Sequence, residues 1–200
     1  MAPPKCIDES CAVVAIAASA GGVFALLELF GSFTSGPPVP MLVVQHLSPR
    51  HRTVLDTVLQ RRTRVPVTLA RDGERAAAGR VHLAPPDRHL LIDPDGTLRL
   101  ADTARVNGVR PAADRLFTSL AEHYGQRAWV FVLSGTGSDG ARGARAVRDR
   151  GGTVVVQDPD TADYPGMPEA ALQAGAVDHV LPLHAIESMI RSFAHSAPDP

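Results

Sequence analysis

Three residues that together could hydrolyse an ester or an amide follow apolar segments of this sequence. Ser19 follows the run "AVVAIAA", His46 follows "MLVVQ", and Asp139 lies in "LSGTGSDG". In serine hydrolases a histidine takes the proton of the serine hydroxyl, while a carboxylate fixes the imidazole tautomer and stabilises its charged form. These residue types suffice for nucleophilic hydrolysis if the fold brings them together.

Each of the three residues also has a purely structural interpretation. Ser19 could cap the helix that follows it, His46 could form a hydrogen bond at the end of a strand, and Asp139 could cap a helix that opens at Gly140. The two glycines after Ala20 permit a tight turn, and they would let the next helix direct backbone amides at a developing oxyanion. The residues alone leave both interpretations open.

A glycine-rich loop offers a different chemistry. Residues 135–140, "GTGSDG", match G-x-G-x-x-G, follow a predicted strand and open a predicted helix, and Asp158 ends the next strand. This is the pattern of a dinucleotide-binding site, in which the acidic residue contacts the ribose. The motif stands late in the chain, and Asp139 would place negative charge beside the pyrophosphate. A dinucleotide-binding protein is therefore the alternative to a hydrolase.

The elements that must position these residues alternate along the chain. Uniformly apolar, β-branched runs alternate with stretches of helical periodicity, which predicts an α/β fold with a doubly wound, mostly parallel sheet and helices on both faces. Strands are predicted at 11–18, 39–46, 65–70, 79–85, 128–134 and 152–158, and helices at 22–30, 52–62, 111–124, 141–150, 167–175 and from 183.

Two further features of this pattern carry structural expectations. The segment 89–100 contains Asp95-Gly96, the signature of a tight hairpin, and we expect an antiparallel hairpin at one edge of the sheet. The helix at 52–62 should bury Val54, Leu55, Val58 and Leu59 on one face. Since ligands bind beyond the carboxyl ends of parallel strands, Ser19, His46 and Asp139 should meet at one edge of the sheet.

Composition limits the class of protein. Two hundred residues with a net charge of −1 fit one ordinary domain with no overall attraction to nucleic acid or anionic lipid. The apolar run near the N-terminus lacks the positive start of a signal peptide and is interrupted too early to span a membrane. We therefore expect a cytoplasmic protein without membrane insertion, with disordered tails at 1–10 and 196–200 around a domain at 11–195.

Cofactor and metal chemistry has little support in the sequence. Cys6 and Cys11 have no second cysteine pair with which to form a metal site, and we expect both to be free thiols, with a bridge between them as the alternative. Serine hydrolysis needs no metal or organic cofactor, and we predict neither.

Six sequence blocks, taken together, resemble a known family. They are "AASAGG", "VVQHLSP", "GRVHLAPPDRHLLI", "RVNGVRPAADRLFTSLA", "LSGTGSDGARG" and "VVVQDPDTADYPGMPEAAL". In this order they resemble the catalytic domain of CheB, the chemotaxis receptor methylesterase, over roughly residues 12–183. The resemblance implies a doubly wound α/β domain that hydrolyses glutamate methyl esters on methylated chemoreceptor-type proteins. Many members also deamidate receptor glutamines.

The resemblance also assigns the site. By motif position it implies that Ser19 is the nucleophile, His46 the histidine and Asp139 the carboxylate of a Ser-His-Asp triad. This chain order differs from the Ser-Asp-His order of α/β-hydrolases. Two departures from the family pattern lie beside the site, since Ala20 stands where a hydroxyl residue is common and Thr136 where methionine is common. A triad-bearing domain that has become a non-catalytic signalling partner is a further alternative.

The expected control of the activity depends on whether these 200 residues include a receiver domain. The family usually carries a phosphorylated receiver domain, whereas here the first predicted strand begins about ten residues after Met1. We expect a stand-alone form whose regulation depends on a separate protein or on access to the receptor.

A group of arginines follows the histidine, and it could meet an acidic receptor surface or form a solvated helix face. Its members are Arg50, Arg52, Arg61, Arg62 and Arg64.

Overall fold

A seven-stranded parallel sheet forms the centre of the fold. The computed structural model describes residues 12–33, 35–48 and 53–192. The strands are β1 (Val13–Ala18), β2 (Met41–Gln45), β3 (Val67–Leu69), β4 (Val81–Leu83), β5 (His89–Ile92), β6 (Leu98–Ala101), β7 (Ala128–Val132), β8 (Thr153–Gln157) and β9 (His179–Leu181). The helices are α1 (Gly22–Gly31), α2 (Leu55–Gln60), α3 (Ala113–Tyr124), α4 (Ala141–Asp149), α5 (Gly166–Gln173) and α6 (Leu183–Ser192), with 3₁₀ turns at 125–127 and 159–161.

The strand order places β1 in the middle of the sheet. The order is β3-β4-β2-β1-β7-β8-β9, and every pairing within this sheet is parallel. Ile16 of β1 lies opposite Val43 of β2 on one side and Phe131 of β7 on the other. The chain moves outward from β1 in one direction and then returns to continue in the other, so the carboxyl end of β1 is a topological switch point where ligands bind in such sheets.

Alternate residues of β1 pack on opposite layers of helices. Val14 and Ile16 belong to the apolar cluster that includes buried residues of α1, α2 and α6. Ala15 and Ala17 belong to the cluster that includes buried residues of α3, α4 and α5. This alternation follows from the period-two geometry of a strand, and it confirms the predicted doubly wound fold with helices on both faces.

The predicted hairpin is present, but it does not extend an edge of the main sheet. Strands β5 and β6 pair antiparallel in a two-stranded sheet of their own. Leu90, Ile92 and Leu98 are fully buried and belong to the cluster that contains the apolar face of α3. Burial against a helix therefore takes the place of pairing with an edge strand.

Two other local expectations need correction. Helix α2 is only six residues long, and it buries Leu55 and Leu59 while Val54 and Val58 are 64% and 38% exposed. The short strand β9 was not predicted, because its residues are largely exposed and give no apolar run.

Some predictions lie outside the described residues. These are the two tails, the last residues of the 11–195 domain span, Cys6, Cys11, Arg50 and Arg52. Within the described ranges, no helix is long and apolar enough to cross a bilayer.

Candidate active site

Ser19 and His46 follow neighbouring strands that end level with each other. Ala18 of β1 lies opposite Gln45 of β2, and the parallel ladder continues one step further because the His46 amide donates to Ala18 O at 3.0 Å. On the other side the Ser19 amide donates to Ser134 O, also at 3.0 Å. Backbone hydrogen bonds from both neighbouring strands thus fix the position of Ser19 at the switch point.

The turn after Ser19 requires glycine. Gly21 has φ +72°, a left-handed conformation that glycine adopts without strain. At Gly22 a Cβ atom would lie 2.4 Å from Gln45 Oε1, which leaves no room for a side chain. Gln45 in turn donates from Nε2 to Ser19 O at 2.8 Å, so the same side chain that excludes a larger residue also holds the serine backbone.

The three predicted side chains form one continuous chain of hydrogen bonds. His46 Nδ1 lies 3.1 Å from Ser19 Oγ, and His46 Nε2 lies 2.7 Å from Asp139 Oδ2. Because an ionised carboxylate only accepts hydrogen bonds, Nε2 carries the proton and Nδ1 is left to accept the serine hydroxyl. The side chain of Asp139 is 3% exposed and that of His46 14%, so the ion pair that proton transfer would create is largely shielded from water.

The structural interpretations of the serine and the aspartate are both wrong. The N-cap of α1 is Gly21, and no side chain caps this helix, so Ser19 is not its cap. Asp139 does cap a helix, but that helix is α3. The amides of Ala113 and Asp114 donate to its Oδ2 and Oδ1 at 2.6 and 3.1 Å.

Asp114, which the sequence did not single out, makes the reciprocal contacts. Its Oδ1 accepts the amides of Gly140 and Gly143 at 3.0 and 2.9 Å, so a carboxylate of α3 caps α4 while Asp139, at the start of α4, caps α3. Asp114 is 3% exposed. Each aspartate thus caps the helix that begins beside the other, and this exchange fixes the backbone around Asp139 where its side chain meets His46.

Two more donors satisfy Asp114. Asn107 Nδ2 and Arg142 Nε donate to its Oδ2 at 3.0 and 3.1 Å. Asn107 and Gly108 both have positive φ and stand at the tip of a turn closed by reciprocal Val106–Val109 hydrogen bonds. The Asn-Gly pair, a strong signal for such a turn, could have revealed this feature from the sequence.

A buried histidine supports the same helix start. His89 Nδ1 accepts the Ala112 amide at 3.2 Å, and its Nε2 donates to Ala104 O at 3.1 Å. Burial lowers the pKa of His89, which keeps the imidazole neutral and able to accept. Side chains thus hold three successive amides, those of residues 112–114, beside Asp139.

The glycine loop at 135–140 lacks two of the free amides that a dinucleotide site would use. A pyrophosphate would need the free amides at the start of α4, yet two of them donate to the buried Asp114 carboxylate. Asp158 instead caps the 3₁₀ turn at 159–161, accepting the Asp160 amide at 3.1 Å. The residues that suggested nucleotide binding therefore serve local structure.

The arginines that follow His46 in the sequence do not line the predicted site where the structure describes them. Arg61, Arg62 and Arg64 line a surface pocket with Gly31 and Phe33, at the C-terminal end of α1. Helix α1 starts beside Ser19 and spans ten residues, so this pocket lies roughly 15 Å along the helix. It is therefore at the opposite edge of the sheet, where the strands have their amino ends. All three side chains are exposed to solvent.

Metal binding was considered for the residues that the structure describes. They contain no group of three or more His, Cys, Asp or Glu side chains that could hold a metal ion.

Similar proteins share this architecture. The chain matches the family model described as CheB methylesterase over residues 14–190. It is also similar to the crystal structure of the Thermotoga maritima CheB methylesterase catalytic domain, with a TM-score of 0.86 and 33% identity, covering 92% of this chain and 98% of that one.

Several named proteins are also similar to this chain in sequence. The "Protein-glutamate methylesterase/protein-glutamine glutaminase 1" of Rhodospirillum rubrum is 37% identical over 94% of this chain and 50% of its own length. A protein of the same description from Anaeromyxobacter dehalogenans, numbered 2, is 41% identical over 90% of this chain and 53% of its own length. The chain thus spans about half the length of these relatives, whereas a Leptospira interrogans relative, 35% identical, is covered over 91% of its length.

Proposed function

The chain belongs to the CheB methylesterase family, and on this premise we propose that it is a serine carboxylesterase that hydrolyses glutamate methyl esters on chemoreceptor-type proteins. The observation that carries the proposal is the hydrogen-bonded chain from Ser19 through His46 to a buried Asp139. The relatives' names supply the substrate class.

In the first half of the reaction the serine attacks the ester. Ser19 Oγ adds to the carbonyl carbon while His46 Nδ1 takes the hydroxyl proton, and Asp139 stabilises the imidazolium through Nε2. The carbonyl oxygen becomes an oxyanion. Collapse of this intermediate breaks the bond to the methoxy oxygen, which leaves as methanol with the proton from Nδ1, and an acyl-enzyme remains on Ser19.

Backbone amides beside the nucleophile can stabilise the oxyanion. The Ala20 and Gly21 amides have no acceptor among the residues that the structure describes, whereas the Gly22 amide donates to Ser19 O at 2.9 Å. Preorganised donors of this kind are worth about 10²–10³ in turnover. Because the donor is a backbone group, alanine at position 20 retains it.

In the second half, water replaces the serine. His46 Nδ1 accepts one proton from water as the water oxygen attacks the acyl carbonyl, and this proton then passes to Ser19 Oγ as the bond to the serine breaks. Glutamic acid leaves and loses the second water proton to solvent. The same route would deamidate a glutamine with ammonia as the leaving group, an activity that the relatives' names include.

The alternatives are less well supported. Dinucleotide binding at 135–140 conflicts with the amides that Asp114 already occupies. A non-catalytic signalling role gives no reason for a complete hydrogen-bonded triad. The proposal includes a cytoplasmic location, with the turnover of this domain controlled by a separate protein or by access to the receptor.

Methanol release from a methylated receptor tests the function. Receptor carrying radiolabelled methyl esters is incubated with the wild-type chain and with Ser19→Ala, and volatile label is counted. The proposal expects release by the wild type alone. Saturable micromolar binding of NAD(H) that depends on Gly137, with no methanol released, would support the dinucleotide alternative instead.

A further inference from the structure

The loop at 102–111 forms a fixed wall beside His46. His89 donates to Ala104 O at 3.1 Å, and Arg110 Nη1 donates to Asp102 O and Thr103 O at 2.7 and 2.9 Å. Together with the tie from Asn107 to Asp114, these contacts hold both sides of the loop. A side chain carried here has a defined position relative to the triad.

The charges of this wall do not cancel locally. Arg110 binds Asp87 Oδ1 through Nε and Nη2 at 3.0 and 2.8 Å, and Arg88 pairs with Asp102 at 3.0 Å. Arg105 comes no closer than 3.9 Å to the same Asp87 oxygen that Arg110 already occupies. Its side chain is 52% exposed, so most of its five N–H donors remain available to a ligand.

A cavity connects this arginine to the triad. It measures about 80 Å³ and is lined by His46, Leu47, Arg105 and residues 108–111. Of the two arginines in its lining, Arg110 is committed to Asp87 and to two carbonyls, so Arg105 is the one with donors to offer. The cavity thus has a positively charged rim beside His46.

We propose that Arg105 is a specificity-determining residue that binds a free carboxylate of the substrate protein, close in the chain to the esterified glutamate. The inference rests on the proposed function and deepens it. A methyl ester carries no negative charge to pair with a guanidinium, whereas a neighbouring carboxylate does. Side chains three or four residues apart on a helix lie about 5–6 Å from each other, so one ester at Ser19 brings its neighbours to the adjoining wall.

The guanidinium geometry favours this ligand. Arginine presents a planar fork of donors that matches a carboxylate bidentately, and it keeps its charge at any physiological pH. Arg105 would thereby direct the enzyme to esters in acidic segments and away from esters with neutral surroundings.

Matched substrates test the assignment. Helical receptor fragments carry one glutamate methyl ester and either Glu or Ala four residues to each side, and kcat/KM is measured from methanol release. The wild type should prefer the Glu fragment by about three- to fivefold, the upper part of the range for an exposed ion pair. The preference should reside in KM. It should also shrink as salt is raised from about 50 to about 500 mM, because salt screens the attraction between exposed charges.

Arginine variants test whether Arg105 causes the preference for the Glu fragment. Arg105→Gln should bring the preference close to one, and Arg105→Glu should invert it. Arg64→Gln, an exposed arginine at the opposite edge of the sheet, is the control and should keep the wild-type preference. Equal rates for the two fragments with wild type, or an unchanged preference in Arg105→Gln, would overturn the assignment while leaving the esterase intact. Hydrolysis of neither fragment would instead refute the proposed function, and the inference with it.

Discussion

Replacing Asp139 with asparagine should damage both catalysis and folding, because the carboxylate has two duties. Its Oδ2 accepts from His46 Nε2 and from the Ala113 amide, and its Oδ1 accepts from the Asp114 amide. All three partners are donors, and an asparagine has one acceptor and one donor end. Neither orientation of the amide can satisfy them.

The two orientations fail in different ways. With the amide oxygen in the Oδ2 position, the histidine keeps its tautomer but the Asp114 amide faces an NH₂ group. With the oxygen in the Oδ1 position, the Ala113 amide is orphaned and Nε2 must accept, which moves the ring proton to Nδ1 and removes the base that faces Ser19. In both cases the imidazolium loses its negative partner.

The expected magnitudes follow from these losses. In serine proteases the corresponding substitution lowers turnover about 10⁴-fold through the wrong tautomer, and we expect a fall of about that size here. One buried amide left without an acceptor costs about 1–3 kcal/mol of unfolding free energy. If Asp139 were only a cap, asparagine would preserve turnover.

The assay combines kcat from methanol release with urea unfolding of the same preparations. Asp149→Asn is the control, because Asp149 is an exposed residue of α4 whose partner is Arg145. It should change neither quantity appreciably. Turnover of Asp139→Asn within tenfold of wild type would refute the tautomer argument, and unchanged unfolding free energy would refute its role in holding α3.

Three other perturbations have defined outcomes. Ser19→Ala and His46→Ala should each remove nearly all methanol release and leave the circular dichroism spectrum unchanged, and the double variant should be little worse than either, since the two act as a unit; additive losses would contradict this. Burial lowers the pKa of His82 and of His89 from the ordinary 6.5, so the unfolded chain binds protons first as the pH falls. The unfolding free energy should therefore be level above pH 6.5 and decrease below it; urea midpoints at several pH values check this, and His82→Gln should reduce the slope. Acetyl phosphate should not change the turnover of the 200-residue chain, and a reversible several-fold stimulation with an aspartyl-phosphate mass increase would show that this view of its control is wrong.

The sequence predicts that Ser19, His46 and Asp139 lie close together because strand ends can be predicted from uniform apolar runs. Ser19, His46 and Asp139 each follow such a run, and a parallel sheet brings successive carboxyl ends to one edge. The structure places the three side chains in hydrogen-bond contact at that edge, as expected.

Features that depend on contacts between distant elements escaped prediction. The exchange of caps between Asp114 and Asp139 joins residues that are 25 positions apart, and no local pattern marks it. The hairpin strands were predicted correctly, but their burial against α3 rather than pairing with the sheet depends on tertiary packing. Arg61, Arg62 and Arg64 follow the histidine in sequence, yet α2 and the turn after it carry them to the other edge.

Labelling with a reactive phosphonate tests most directly whether Ser19 performs the ester hydrolysis. The protein is titrated with a fluorophosphonate, the modified peptide is identified by mass spectrometry, and residual methanol release from methylated receptor is measured at each stoichiometry. The account predicts one adduct per chain on Ser19, a loss of activity in proportion to it, and much slower labelling of His46→Ala. Full methanol release from protein whose Ser19 is completely labelled would contradict the account.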